Sequence, residues 1–397
     1  MKHETITTSS QLDQLCERLS AAEVIGFDTE FVSEDSFFPK LCLVQVVAPG
    51  LLAVIDPLAV ADVSPFWKML AARTRPTIVH AGREELNFCL AAVGSPPGQL
   101  FDTQLAAGFV NHEYPSGYGG LVRRFLNQSA AKGETRTDWR RRPLSDDQID
   151  YALEDVRYLL PLRDKLQQLL QSHQREQWFA DEMQSWMGEV QDARERLRWR
   201  KVSGISGMSS RSLAIVRELW MWRNKEAQRR NMPAKRVLRD DLVVELARRQ
   251  SADPNKIRAI RGLTRNVIQN YVTSIAAGIQ RGLDLPASEL PQKQRSEMPS
   301  QLNILGQFLS PALNSICRSA QIATALVGTA TDVRDLVAYR LDFGESERQE
   351  PPALALGWRA EVVGKLIDEL LAGKRTIRIK DPHSDHPLAF EPSQAPE

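Results

Sequence analysis

Apolar runs of strand length recur through the first hundred residues, at 24–27 (Val-Ile-Gly-Phe), 41–47 and 52–55. The last two are separated by Ala48-Pro49-Gly50, a turn signal that predicts a hairpin. A helical stretch around 67–72 leads to another strand at 77–80. Apolar residues at 86, 89, 90 and 93 then adopt helical spacing. A short strand at 100–101 precedes a helix expected over 103–110. Ser145 followed by Gln148 is a capping-box pattern, and it opens a helix expected to reach about residue 172. A further helical stretch carries Trp178, Met183 and Trp186. Gly and Ser dominate 202–210, which reads as a linker. Beyond it the pattern is almost wholly helical, broken at 282–300 by Pro286, Pro291 and Pro299. A last helical block runs to about 371, interrupted at 344–352, and the tail from Asp381 is expected to be disordered. These shifts divide the chain into an α/β domain over 1–190, all-α domains over 207–286 and 298–380, and a tail over 381–397.

Composition adds an asymmetry to this picture. The chain has 397 residues and a formal net charge of +1. Residues 1–190 hold 18 Lys/Arg against 26 Asp/Glu, whereas 191–240 hold 14 against 5. An acidic first half and a basic stretch after it suggest carboxylate chemistry in one and polyanion binding in the other. Cys16, Cys42, Cys89 and Cys317 are scattered with no CxxC pair, so they read as reduced thiols rather than zinc ligands. No apolar run approaches the ~20 residues of a membrane span. The N-terminus, Met1-Lys2-His3-Glu4-Thr5, lacks the apolar core of a secretory signal. The expectation is a cytoplasmic protein without a membrane or an obligate protein partner.

Three groups of residues carry candidate chemistry. Asp28 and Glu30 end a strand and share its face, because side chains two apart on a strand point the same way. Alone, a DxE is more simply a hydrophilic strand end. Glu84 and Glu85 follow His80-Ala81-Gly82-Arg83 where a strand turns into a helix; acids in a first helical turn are ordinarily only favourable to the helix dipole. Tyr151 and Asp155 are four apart and lie on one helical face. Each group alone has a bland explanation.

In this order, however, DxE, an acid after a strand-to-helix turn, and YxxxD resemble the signature of the DEDD exonucleases in their tyrosine-bearing form. Asp28-Thr29-Glu30-Phe31, residues 39–45, Ile55-Asp56-Pro57-Leu58, Phe101-Asp102-Thr103-Gln104, Arg136-Thr137-Asp138-Trp139, Arg142-Pro143-Leu144 and Gln148-Ile149-Asp150-Tyr151-Ala152 are similar to the ribonuclease D family, over roughly residues 20–165. The resemblance implies a ribonuclease H-like fold, with three antiparallel strands followed by helix-linked ones. It implies two Mg²⁺ or Mn²⁺ ions held by Asp28, Glu30, Glu85 and Asp155, with Tyr151 orienting the attacking water. The family usually has Asp where this chain has Glu85, which leaves Glu84 as a substitute. His80 reads as a structural hydrogen-bonding residue, and Asp102 as a support behind the site. Arg136, Arg140, Arg141 and Arg142 are candidates for substrate phosphates.

The basic half carries a second resemblance. Leu219-Trp220-Met221-Trp222-Arg223, Ala227, Met232-Pro233, Val237, Asp241-Leu242 and Ile260-Arg261-Gly262-Leu263 are similar to the HRDC domain, a helical module shared by RecQ helicases and ribonuclease D. It implies phosphate contacts from Arg223, Lys225, Arg229, Arg230, Lys235, Arg236 and Arg239, with Trp220 and Trp222 in the core. The block over 298–380 resembles a diverged second copy, and Arg375, Arg378 and Lys380 could add contacts. The function implied is a 3′→5′ exoribonuclease trimming structured RNA such as tRNA precursors. A DNA exonuclease and a non-catalytic RNA-binding protein with a decayed site remain as alternatives.

Overall fold

The computed structural model describes residues 2–110, 113–129, 137–195, 198–292, 300–341, 350–384 and 387–393. Its first domain is built on six strands: β1 (Glu4–Ile6), β2 (Ile25–Val32), β3 (Lys40–Ala48), β4 (Leu51–Ile55), β5 (Thr77–Val79) and β6 (Leu100–Asp102). They lie in the order β1-β4-β3-β2-β5-β6. β3 runs antiparallel to both β2 and β4, with the β3–β4 hairpin turning at Pro49-Gly50, where Gly50 has φ +74°. β5 and β6 extend the sheet in parallel from β2. This is the mixed sheet expected from the apolar runs. β1, which pairs in parallel with β4, was not anticipated; only Ile6 of its three residues is buried, too little for a pattern.

Helices cover both faces. α1 (Ser9–Ala21), α2 (Ser64–Ala72) and α3 (Arg83–Val93) lie on one side, where Phe27 packs edge-on against Phe66 and Trp67 and Phe31 against Phe88. After α4 (Thr103–Gly108) and α5 (Tyr118–Leu126), α6 (Asp146–Arg157) and α7 (Leu159–Ser172) cover the other side. The capping box at Ser145 opens α6 as expected. The single helix expected from 145 to 172 is instead broken at Tyr158. Pro161 cannot donate to the carbonyl four residues back and would clash with it, so it is tolerated only in the first turn of a new helix. The Tyr158 N–H donates to the Tyr118 hydroxyl at 2.9 Å.

α8 (Glu176–Glu195) leads into a second hydrophobic core formed by α9 (Ser210–Arg229), α10 (Ala234–Val237), α11 (Asp240–Arg249), α12 (Pro254–Arg258) and α13 (Arg265–Asp284). The expected linker at 202–210 is corrected: Val202 and Met208 are buried in this core beside Trp199. α14 (Ser300–Ser319), α15 (Thr324–Val327), α16 (Ala330–Arg340), α17 (Gly357–Arg359) and α18 (Lys365–Leu371) do not make a core of their own. They share that of the first domain, with Trp358 against Phe109 at 4.9 Å and Arg359 paired with Glu182 at 2.7 Å. The expected disordered tail is also corrected: β7 (Arg375–Ile379) pairs with β8 (Leu388–Pro392), placing Ile377 opposite Phe390. Both side chains pack onto the main core, which holds the hairpin down. The four cysteines are free, and among the described residues no helix is long and apolar enough to cross a membrane.

Candidate active site

β2 presents Gly26, Asp28 and Glu30 on the face covered by α6 and α7. Gly26 packs tightly there, because a Cβ would stand 3.0 Å from the side chains of Leu159, at the start of α7, and Val47. Asp28 lies opposite Gln45 on β3, and a register shift after Glu30 ends the regular pairing.

Glu85 arrives by a different route. β5 ends at Val79, and the chain turns through Ala81 (φ 54°) and Gly82 before α3 begins. Gly82 must be glycine: a Cβ would come within 2.4 Å of the Val79 side chain. The Asp102 carboxylate fixes this turn by accepting from the N–H groups of Ala81 (3.1 Å) and Gly82 (2.9 Å), while also capping α4. Asp102 is thus the support expected. His80 is likewise structural, with Nδ1 3.0 Å from the Thr103 hydroxyl and burial lowering its pKa. Glu85 is 5% exposed, and its Oε1 accepts from Thr29 Oγ1 at 2.6 Å. Of the two candidate acids, Glu85 is the one directed at β2; Glu84 lines a groove on the outer side of α3. The extra methylene is used in reaching Thr29.

α6 contributes Tyr151 and Asp155 from above, with Trp139 6.1 Å from the Tyr151 ring. The four acids sense one another. Asp28 is pushed well above the ordinary carboxylate range by burial, then by the charges of Glu85 and Asp155. Glu30 rises to about 8 from burial and the charges of Asp155 and Glu85. Glu85 rises to about 7, where burial outweighs its hydrogen bond to Thr29. Asp155 rises to about 6 through burial and neighbouring Glu154. Burial and the surrounding acids push the Tyr151 phenol up to about 12. No Lys or Arg among the described residues forms an ion pair with any of the four acids.

Among the described residues, no three Asp, Glu, His or Cys side chains are drawn into a ready-made metal cage. As a donor set the four acids nevertheless fit a hard divalent cation: all are carboxylate oxygens, which Mg²⁺ prefers, and what they lack is positive charge.

The basic candidates separate sharply. Arg136 lies outside the described residues. Arg142 is corrected from substrate contact to structural tie: it grips Asp56 at 2.5 and 2.7 Å and donates to the Cys42 and Trp139 carbonyls. Arg223 is corrected likewise. It is 4% exposed and bonded to Asp240 (2.6 Å) and the Leu238 carbonyl (2.9 Å). Arg229 and Arg230 share Glu226, Arg239 holds Asp241, and Arg140 pairs with Asp138. Arg236 pairs with Asp35 of the first domain. Lys235 is 78% exposed and only 3.9 Å from Asp240, and Lys225 is exposed as well. Trp220 and Trp222 pack on the helical core, as expected.

Sequence reasoning assigned no role to Thr29, Gln45 or Asn231. Thr29 sits between the two acids and faces the other way. Gln45 is wholly buried opposite Asp28, and neither amide atom has a hydrogen-bond partner in the protein. The one available signal was a polar residue inside an apolar strand. Asn231 Oδ1 accepts from the N–H groups of both Phe37 and Phe38 at 3.1 Å, a contact across nearly two hundred residues that no local pattern announces.

Residues 3–171 match the family model described as a 3'-5' exonuclease, and residues 212–279 match the HRDC domain. Ribonuclease D of Jannaschia sp. is 33% identical over 389 residues, covering 95% of this chain and 97% of that protein. Ribonuclease D of Zymomonas mobilis is 31% identical, with 95% and 96% covered. The crystal structure of Escherichia coli RNase D, described as an exoribonuclease involved in structured RNA processing, matches with a TM-score of 0.81 at 28% identity, covering 94% of this chain and 99% of that one. Sheet, acids and helical module together define a 3′→5′ exonuclease with an HRDC domain. The chain belongs to the ribonuclease D family.

Proposed function

We propose that this protein acts in the cytoplasm as an exoribonuclease that trims the 3′ ends of structured RNA, tRNA precursors among them, releasing nucleoside 5′-monophosphates. The observation that carries this reading is the meeting of Asp28, Glu30, Glu85 and Asp155, from three separate stretches of chain, where Glu85 and Asp155 raise the pKa values of Asp28 and Glu30 beside Tyr151. Placing like charges together in a partly buried site is costly unless cations neutralise them. These four residues would hold two divalent ions, Mg²⁺ or Mn²⁺, which in this chemistry supply an activated water and neutralise charge on the phosphate oxygens. The Tyr151 phenol stays protonated across physiological pH and so can donate a hydrogen bond that orients the water. Trp139 and the α6 backbone hold the ring in place. Exposed cations of the HRDC domain, Lys235 first, would add salt-sensitive phosphate contacts.

The test is a time course on end-labelled tRNA precursor with and without Mg²⁺, comparing 3′-hydroxyl and 3′-phosphate ends and a matched DNA strand. The expected result is Mg²⁺-dependent release of mononucleotides from the 3′-hydroxyl RNA, lost in Asp28→Asn while RNA binding persists. Undiminished digestion in excess chelator, or by Asp28→Asn, would overturn the mechanism. Preference for the DNA strand would overturn the substrate.

A further inference from the structure

A groove of about 650 Å³ runs between α3 of the exonuclease domain and α9 of the HRDC domain. We infer that it is a subsite where single-stranded RNA just upstream of the 3′ end stacks its bases before the strand enters the active site. This rests on the exoribonuclease reading above and extends it to residues outside the acids.

The groove is lined by Phe37, Phe38, Phe88 and Trp220, with Arg194 and Lys225 among them. Aromatic faces interleaved with cations are the elements by which proteins bind single strands without reading sequence. The volume falls within the ~300–1,000 Å³ of sites that enclose small ligands, which suits nucleotides of one strand. Lys225 forms no ion pair among the described residues and is available to a phosphate.

The aromatic wall is held in place. Phe37 and Phe38 stand on the β2–β3 loop, edge-to-face at 5.1 Å. Phe37 packs into the helical core, whereas Phe38 is 51% exposed. Asn231, itself in the left-handed region at φ 46°, accepts from both of their N–H groups, and Arg236 ties Asp35 of the same loop. The HRDC domain therefore fixes an exposed aromatic ring that contributes little to either core.

The groove shares α3 with the acid site: Glu84 lines it, one residue before Glu85. Phe88 of the same helix packs 5.7 Å from Phe31 on β2. A strand with its terminal phosphate at the acids would lay its preceding nucleotides over Phe88 and between Phe38 and Trp220. Glu84 is the one carboxylate among the residues that line the groove.

The experiment measures the full-length protein in EDTA by fluorescence anisotropy, using RNA hairpins with blunt ends or with 3′ single-stranded tails of increasing length. Hydrolysis of a dinucleotide, too short to reach the groove, is measured in Mg²⁺. Phe38→Ala and Lys225→Glu should each weaken binding of tailed RNA about tenfold, from the stacking of one base or the loss of one phosphate contact. Blunt-hairpin binding and dinucleotide hydrolysis should match wild type. Asn231→Ala should reproduce the Phe38→Ala loss, and Asn231→Asp, which keeps the acceptor oxygen, should restore binding. Wild-type affinity for tailed RNA in both Phe38→Ala and Lys225→Glu would overturn the subsite and leave the groove to another occupant. Equal losses on blunt and tailed RNA would overturn it too. If wild type hydrolyses no RNA while Phe38→Ala still loses affinity for tailed RNA alone, the catalytic reading falls and the subsite stands.

Discussion

The Thr29 hydroxyl donates to the Glu85 carboxylate at 2.6 Å, joining the strand that carries Asp28 and Glu30 to the first turn of α3. Thr29 is buried, so its hydroxyl has no water to turn to. Glu85→Asp would shorten the reach by one methylene and leave that hydroxyl unpaired. The expected cost is about 1–2 kcal/mol of stability, read from thermal melts, with kcat lowered roughly tenfold. A variant as active and stable as wild type would show that the longer side chain is incidental.

Asp155, Glu85 and Glu30 have folded pKa values of about 6, 7 and 8, all raised above their ordinary values. A raised carboxylate favours the fold while protonated, and that contribution is lost as pH climbs through the folded value. The protein in EDTA should therefore lose stability between pH 5.5 and 8.5 at this site. Added Mg²⁺ competes with these protons, so its increase in Tm should be larger at pH 8.5 than at pH 5.5. Scanning calorimetry at the two pH values checks this; a Mg²⁺ shift independent of pH would contradict it.

Tyr151, with its phenol at about 12, remains protonated up to pH 10. Tyr151→Phe removes the donor and keeps the ring against Trp139. The expected loss in kcat is on the order of 10²-fold, with melting temperature unchanged. The wild-type pH–rate profile should show no falling limb from a tyrosine below pH 10.

Arg223 is a brace inside the HRDC domain rather than an RNA contact. Arg223→Ala leaves the Leu238 carbonyl unpaired and Asp240 with only Lys235 at 3.9 Å, and should cost about 3 kcal/mol while leaving the salt dependence of RNA binding unchanged. Lys235→Ala should do the reverse, preserving Tm and lowering the salt slope by about one. Paired melts and salt titrations distinguish the two.

Gln45 buries an amide with no protein partner opposite Asp28. Gln45→Met keeps the length of the side chain and removes the unpaired dipole, so the protein should gain about 1 kcal/mol in denaturant unfolding. A loss of stability would mean that the amide is satisfied in solution.

The β2–β3–β4 meander and the helices after it are legible in the chain because each depends on near neighbours, whereas Asp28, Glu30, Glu85, Tyr151 and Asp155 were singled out only by the order of their motifs, which resembles the DEDD exonucleases. Alternation sets a strand's faces, and a spacing of four aligns Tyr151 with Asp155. The break at Tyr158 was legible too, in Pro161, but helical periodicity concealed it.

What the amino-acid order determined by itself is local: which segments become strands or helices, and which acids share a face. Which arginines are braces and which are free, how Glu85 reaches Thr29, and how Asn231 and Arg236 hold the loop of Phe37 and Phe38 were decided only by tertiary packing. A charged or polar side chain takes its role from the partner that satisfies it, and here those partners lie up to two hundred residues away. No local pattern encodes a contact of that range, because burial and partner appear only once distant segments close on one another.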